Sequence, residues 1–239
     1  MPLKIVCNVK PSSTAKLTKK TFFNRVIGIK TSWNQQNGLL AIGGDSKKIK
    51  VWDVQSQKIR CQFKIDAMKP ITCLKWYDQN NIFVGSVDGS INQFDIRQQS
   101  NSQPIFQGNE HESCLINLCF PKFHPYSIVS ASQNRLIIFW DLRKIQDYRS
   151  FLPGKSGNLL SFDQHNWLNV FATSTKKEGI LIYDWNSNLI SRFRNYNTFS
   201  TSKIGNIKKI KFHPYRLLLG VASESNFSVF SPTKKKRKK

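Results

Sequence analysis

The side chains able to do chemistry are few and far apart. Four histidines, His111, His124, His165 and His213, make no HExxH and no paired His/Cys spacing of the kind that holds zinc. His124 and His213 each precede a proline in turn-like sequence, and His165 falls in the stretch Asp163-Gln-His-Asn, which reads as a turn. Five cysteines, Cys7, Cys61, Cys73, Cys114 and Cys119, form no CxxC. Their odd number, with no apolar stretch of signal-peptide type after Met1, reads as reduced thiols of the cytosol or nucleus. Cys114 and Cys119 lie five apart, so strand alternation puts them on opposite faces, as core residues. Of the acids, Asp53, Asp95, Asp141 and Asp184 close strands, while Asp78, Asp88 and Asp163 read as turn residues. No pair is left over for general acid–base work. GxSxG, P-loop and GxGxxG patterns are all missing. The expectation is a chain that is not an enzyme, with no cofactor, no metal and no small-molecule substrate.

Binding chemistry is better represented. Six tryptophans invite a base-stacking reading. Trp33, Trp52, Trp76 and Trp140 recur at regular spacing and are expected in the core, whereas Trp167 and Trp185 fall off the period and are the candidates for exposed contacts. The net charge is +23, with 37 Lys and Arg against 14 Asp and Glu. The run Lys234–Lys239 is entirely basic, and the body stays strongly basic without it. Such a surplus suits an anionic partner, but most of it is lysine, and nucleic-acid readers lean on arginine. Weak, sequence-independent polyanion binding is expected. The tail reads equally as a nuclear-import segment or as a disordered solvated end. The longest apolar runs fall far short of the ~20 residues a membrane-spanning helix needs, so no span is expected.

These side chains must be carried by a repeated element. Lys122-Phe-His-Pro-Tyr126 returns as Lys211-Phe-His-Pro-Tyr215, and weaker copies fill the interval at half that separation. A period of about 40–45 residues is that of a four-stranded propeller blade. One marker is an aromatic ending an apolar strand: Trp33, Trp76, Phe123, Phe162 and Phe212. The second closes a β-branched run and is usually followed by Asp: Trp52-Asp53, Phe94-Asp95, Trp140-Asp141, Tyr183-Asp184 and Phe230-Ser231. Between them lie short apolar runs, such as Ile71–Trp76 and Ile82–Ser86, and tight turns, such as Asp88-Gly89. The expected fold is all-β, with five four-stranded blades over residues 25–232, an N-terminal segment 1–24 holding one candidate strand at 3–9, and a tail at 233–239. That first strand either completes the last blade as its outer strand or belongs to a blade upstream.

With Trp52-Asp53, Trp140-Asp141, Phe94-Asp95 and Gly85-Ser-Val-Asp-Gly89, the chain resembles the WD40 family. The resemblance implies a buried network of a turn Asp, a His, a Ser or Thr and a Trp. Asp88, Asn134 and Glu224 stand at the turn position, and His111 alone supplies the histidine, so the network is degenerate. The order of Trp33-Asn-Gln-Gln-Asn-Gly-Leu-Leu40, Gly43-Gly-Asp45, Phe94-Asp-Ile-Arg97, Glu110-His111, Asn188-Leu-Ile190, Asn195-Tyr196 and Phe212-His-Pro214 resembles the C-terminal propeller of the Raptor family, the scaffold of TOR complex 1. That family has seven blades behind a caspase-like domain and helical repeats. The chain therefore looks like a fragment, a truncated gene prediction or a reduced relative, lacking two blades and those domains. The resemblance implies a protein-interaction scaffold in TOR signalling, with TOR complex subunits as partners and a cytoplasmic or endolysosomal setting. The alternative is a basic nuclear or nucleolar WD40 protein in a ribonucleoprotein.

Overall fold

The structure, a computed structural model, describes residues 3–9, 28–45, 48–65, 70–98, 103–193, 207–224 and 226–232. The basic run Lys234–Lys239 and the pair Asn195-Tyr196 lie outside them. Every regular element among the described residues is a strand. After β1 (Leu3–Val9), blade 1 is β2 (Lys30–Asn34), β3 (Leu39–Gly43), β4 (Lys48–Asp53) and β5 (Lys58–Lys64). Blade 2 is β6 (Ile71–Trp76), β7 (Asn81–Ser86), β8 (Ile91–Asp95) and β9 (Phe106–Gly108). Blade 3 is β10 (Leu115–Cys119), β11 (Ser127–Ser132), β12 (Ile137–Asp141) and β13 (Lys144–Phe151). Blade 4 is β14 (Leu159–Gln164), β15 (Val170–Thr175), β16 (Gly179–Asp184) and β17 (Leu189–Phe193). Blade 5 has three strands in sequence, β18 (Ile207–Phe212), β19 (Leu219–Ser223) and β20 (Phe227–Pro232), and β1 pairs antiparallel with β20 to give a fourth.

Each blade is an antiparallel meander, as the alternation of short apolar runs and turn residues predicts. In blades 1–4 the second and third strands keep one register. Leu40 pairs with Trp52, Ile82 with Phe94, Ile128 with Trp140 and Phe171 with Tyr183. A single backbone bond also recurs. In blades 1–4 the residue after the third strand, Val54, Ile96, Leu142 or Trp185, donates its N–H to a carbonyl in the first turn of its blade, that of Gly38, Asn80, Tyr126 or Asn169. The separation is the same sixteen residues each time. It satisfies backbone groups that would otherwise be left at the strand end.

Two compact units divide the chain, residues 20–118 and residues 1–19 with 119–239, the division falling inside β10. In the first, Leu39, Ile49, Val51, Phe63, Ile71, Ile82 and Phe94 form one core. In the second, Ala172, Ile180, Ile210, Phe212, Val221 and Phe230 form another. Small residues let strands approach: a Cβ at Gly89, whose φ is +94°, would run into the carbonyl of His111.

Two sequence expectations need correction. Trp33 is 49% exposed, because β2 buries one face only and Trp33 falls on the other. Phe123 ends no strand: β10 stops at Cys119, and Phe123 sits in the turn that follows. There it is half-buried and packs edge-on against Trp185, with ring centroids 5.2 Å apart.

Candidate functional site

The aspartates that close the third strands are turn acceptors. Asp53 accepts from Gln55 N at 3.0 Å, and Asp184 from Asn188 N at 2.7 Å. Asp95 and Asp141 add a guanidinium two residues on, with Arg97 Nη2 at 2.6 Å and Arg143 Nη2 at 2.8 Å. The bond from Arg143 holds the Asp141 carboxyl down at about 2. In the second turns, Asp88 accepts from the amide and hydroxyl of Ser90, and Asn134 accepts from Leu136 N. Carboxylates so occupied are fixed as anions and offer no proton at neutral pH.

The third-strand aromatics sit differently. Phe94, Trp140 and Tyr183 are buried, and Trp52 is half-buried. Trp140 Nε1 donates to Ser130 Oγ at 2.8 Å, and Tyr183 accepts from Gly154 N at 2.9 Å. Phe94 stacks on Phe63. His111 is almost wholly buried, and burial pushes its imidazole down to about 4, so it is neutral at physiological pH. Cys61 and Cys73 are buried thiols raised to about 11 by burial. Among the described residues no group of three His, Cys, Asp or Glu gathers as a metal site, and no helix is long and apolar enough to cross a membrane.

Three buried polar groups escape sequence reasoning. Asp163 is not in a turn: it lies inside β14 and accepts from Phe212 N at 2.7 Å and Lys211 Nζ at 2.9 Å, tying blade 4 to blade 5. His165 is fully buried just beyond β14. Its Nδ1 accepts from Trp167 N and Leu168 N, and its Nε2 lies 3.2 Å from Arg216 O. Glu178 is buried under Arg192 and accepts from Lys155 N and Ser156 N. His165 precedes Asn166, Glu178 precedes Gly179 and Asp163 opens the polar stretch Asp163-Gln-His-Asn166, so all three look like turn sequence and nothing in the string marks them as buried.

The off-period tryptophans both lie at turns. Trp167 is 52% exposed, with Lys122 Nζ 4.6 Å from its ring centroid. Trp185 is half-buried: Phe123, His124 and Phe139 surround it, and its carbonyl accepts from Arg149. A cleft of about 470 Å³ runs over blade 5, its apolar floor of Gly220, Ala222, Phe227 and Val229 flanked by Lys209 and Lys211. These features can bind apolar and anionic groups. Neither holds an acid–base pair.

Residues 24–79 match a family model described as the anaphase-promoting complex subunit 4 WD40 domain. The target of rapamycin complex 1 subunit mip1 of Schizosaccharomyces pombe is 28% identical over 93% of this chain and 17% of its own length. Regulatory-associated protein of TOR 1 of Arabidopsis thaliana is 25% identical over 82% of this chain and 15% of its own. The chain thus spans about a sixth of these relatives. Among solved structures, Chaetomium thermophilum Raptor superposes with a TM-score of 0.78 at 26% identity, covering 87% of this chain and 20% of that one. A chain of the mitotic checkpoint complex shares the fold, with a TM-score of 0.69 at 16% identity.

Proposed function

We propose that this WD40-repeat domain, which resembles the C-terminal WD40 region of Raptor, is a non-catalytic module presenting a rigid surface to protein partners in TOR complex 1 signalling. One observation carries the reading: the likeness to proteins named as target of rapamycin complex 1 subunits covers 89% to 93% of the chain. The site geometry is in keeping with it, since the carboxylates described above are turn acceptors or bridges between strands. Rigid strands with partner-facing turns are the usual division of labour in such folds. Its place of work on this reading is the cytoplasm, at endolysosomal surfaces.

A second reading rests on the net charge of +23, which suits a nuclear or nucleolar ribonucleoprotein. Affinity capture with the tagged full chain separates the two. Recovery of TOR kinase supports the scaffold, whereas recovery of ribosomal RNA precursors without TOR kinase would overturn it.

A further inference from the structure

In an antiparallel meander, alternate connections share one end of the sheet. The β10–β11, β12–β13, β14–β15, β16–β17 and β18–β19 turns therefore lie at matching ends of blades 3, 4 and 5. Direct contacts join them. Leu142 N donates to Tyr126 O at 2.8 Å, and Lys122 N to Asn166 O at 3.1 Å. The His124 ring lies 4.7 Å from Trp185, and His165 reaches Arg216 O. The buried His165, with both ring nitrogens engaged, fixes the turn that carries Trp167 to the turn that carries Tyr215.

This end carries large apolar surface in the open. Tyr126 is 53% exposed, Tyr215 77% and Leu168 41%, beside the half-open Trp167. Cations stand among them. Lys122 covers one face of Trp167, Arg143 lies 5.1 Å over Tyr126, and Arg216 is exposed next to Tyr215. The carboxylates of these turns are already engaged, Asp141 by Arg143 and Asp184 by Asn188. Exposed Trp and Tyr ringed by Arg and Lys is the composition of an interface centre rather than of ordinary surface.

We propose that this end of blades 3–5 docks an acidic peptide segment carrying apolar side chains. The apolar side chains lie on Trp167, Leu168 and Tyr215, and the carboxylates meet Lys122 and Arg216. The assignment rests on the reading of the chain as a protein-interaction module and deepens it. Charge complementarity selects an acidic partner, and two features favour peptide over single-stranded nucleic acid. Base stacking needs open ring faces, yet Lys122 and Arg143 each cover one. A phosphate track needs a series of uncommitted cations, yet Arg143 is held by Asp141, and Arg149 lies over Phe139 with a hydrogen bond to Trp185 O.

The test uses the full chain and three labelled probes read by fluorescence anisotropy: a short peptide alternating Glu with Leu and Trp, the same peptide with Ser at the apolar positions, and an oligouridylate. The expected result is binding of the first at least about tenfold tighter than of the other two, with a loss of about tenfold in Trp167→Ala/Tyr215→Ala and in Lys122→Glu/Arg216→Glu. All four side chains are exposed, so unchanged melting curves establish that the variants fold. Equal peptide affinity in parent and variants, or tighter binding of the oligouridylate, overturns the site. Capture of TOR kinase separates the two levels of failure. If peptide affinity is equal in parent and variants while the parent captures the kinase, the site is wrong and the module reading stands. If the parent neither binds peptide nor captures the kinase, both fall.

Discussion

At the scale of single residues, burial decides what each titratable group does. His111 is neutral in the fold because burial disfavours its charged form, so its imidazole lies at about 4 against an ordinary 6.5. The unfolded chain therefore binds more protons than the native one between those values, and stability falls as pH falls through that window. The expected loss between pH 7 and 5.5 is roughly 1 kcal/mol, above the range where carboxylates titrate. Urea unfolding at the two pH values should show it, and His111→Gln should remove most of the difference. A slope that persists in His111→Gln would assign the effect elsewhere. Trp140 is the complementary case, a large apolar body with one polar atom. Trp140→Ala should lower stability by roughly 3–5 kcal/mol, as for an emptied aromatic core site. Trp140→Phe keeps most of the packing and loses the bond to Ser130, so about 1 kcal/mol is expected by the same unfolding measurement. An alanine variant as stable as the parent would mean that the ring is not in the core.

At the scale of elements, the blades are legible in the sequence because their signal is periodic and local. The aromatic and Asp at the third strands of blades 1–4 sit where register demands, and the β7–β8 turn needs Gly89. Yet Arg135 takes the corresponding left-handed position in blade 3, with φ of 77°, its N–H donating to Ser132 O as Gly89 N donates to Ser86 O, while Asn134 accepts from Leu136 N as Asp88 accepts from Ser90 N. Side-chain hydrogen bonds can thus carry a turn whose glycine has gone, and the pattern blurs there. Asp163, His165 and Glu178 are illegible for another reason: each has a partner 14 to 51 residues away, and no local property of the string encodes those contacts. Glu178 shows what such a group is worth. It gathers two backbone amides of the loop after β13 and Arg192 of β17, so the edge of blade 4 hangs on one carboxylate. Glu178→Ala leaves those partly exposed donors without their acceptor, and a loss of about 1–3 kcal/mol is expected. Glu178→Leu/Arg192→Leu, which removes both charges, should recover much of it in thermal unfolding. If the double variant is no better than the single one, the pair is not coupled.

At the scale of the whole molecule, charge and chain ends belong together. Nine carboxylates, Asp45, Asp53, Asp78, Asp88, Asp95, Asp141, Asp163, Glu178 and Asp184, accept backbone N–H groups. These nine acids thus hold the chain's own turns and strands, and on the proposed reading the cationic surplus steers acidic partners. The same molecule joins sequence-distant ends, since β1 lies beside β20 and gives an otherwise open edge its fourth strand. The register sets Cys7 opposite Val229 and Lys4 opposite Ser231. Directly opposed residues of an antiparallel pair have Cα atoms about 4.5–5.5 Å apart, within the range a disulfide spans. Val229→Cys should therefore form a disulfide with native Cys7 under mild oxidation, seen as a faster band on non-reducing gels that disappears in Cys7→Ser. Closing a loop of nearly the whole chain should add up to roughly 5 kcal/mol by the loop-entropy argument. A cysteine two positions on, Ser231→Cys, faces Lys4 and should crosslink to Cys7 far less. A folded Val229→Cys chain that stays reduced, or one that crosslinks no better than Ser231→Cys, would remove β1 from the edge of blade 5 and leave that edge for another strand.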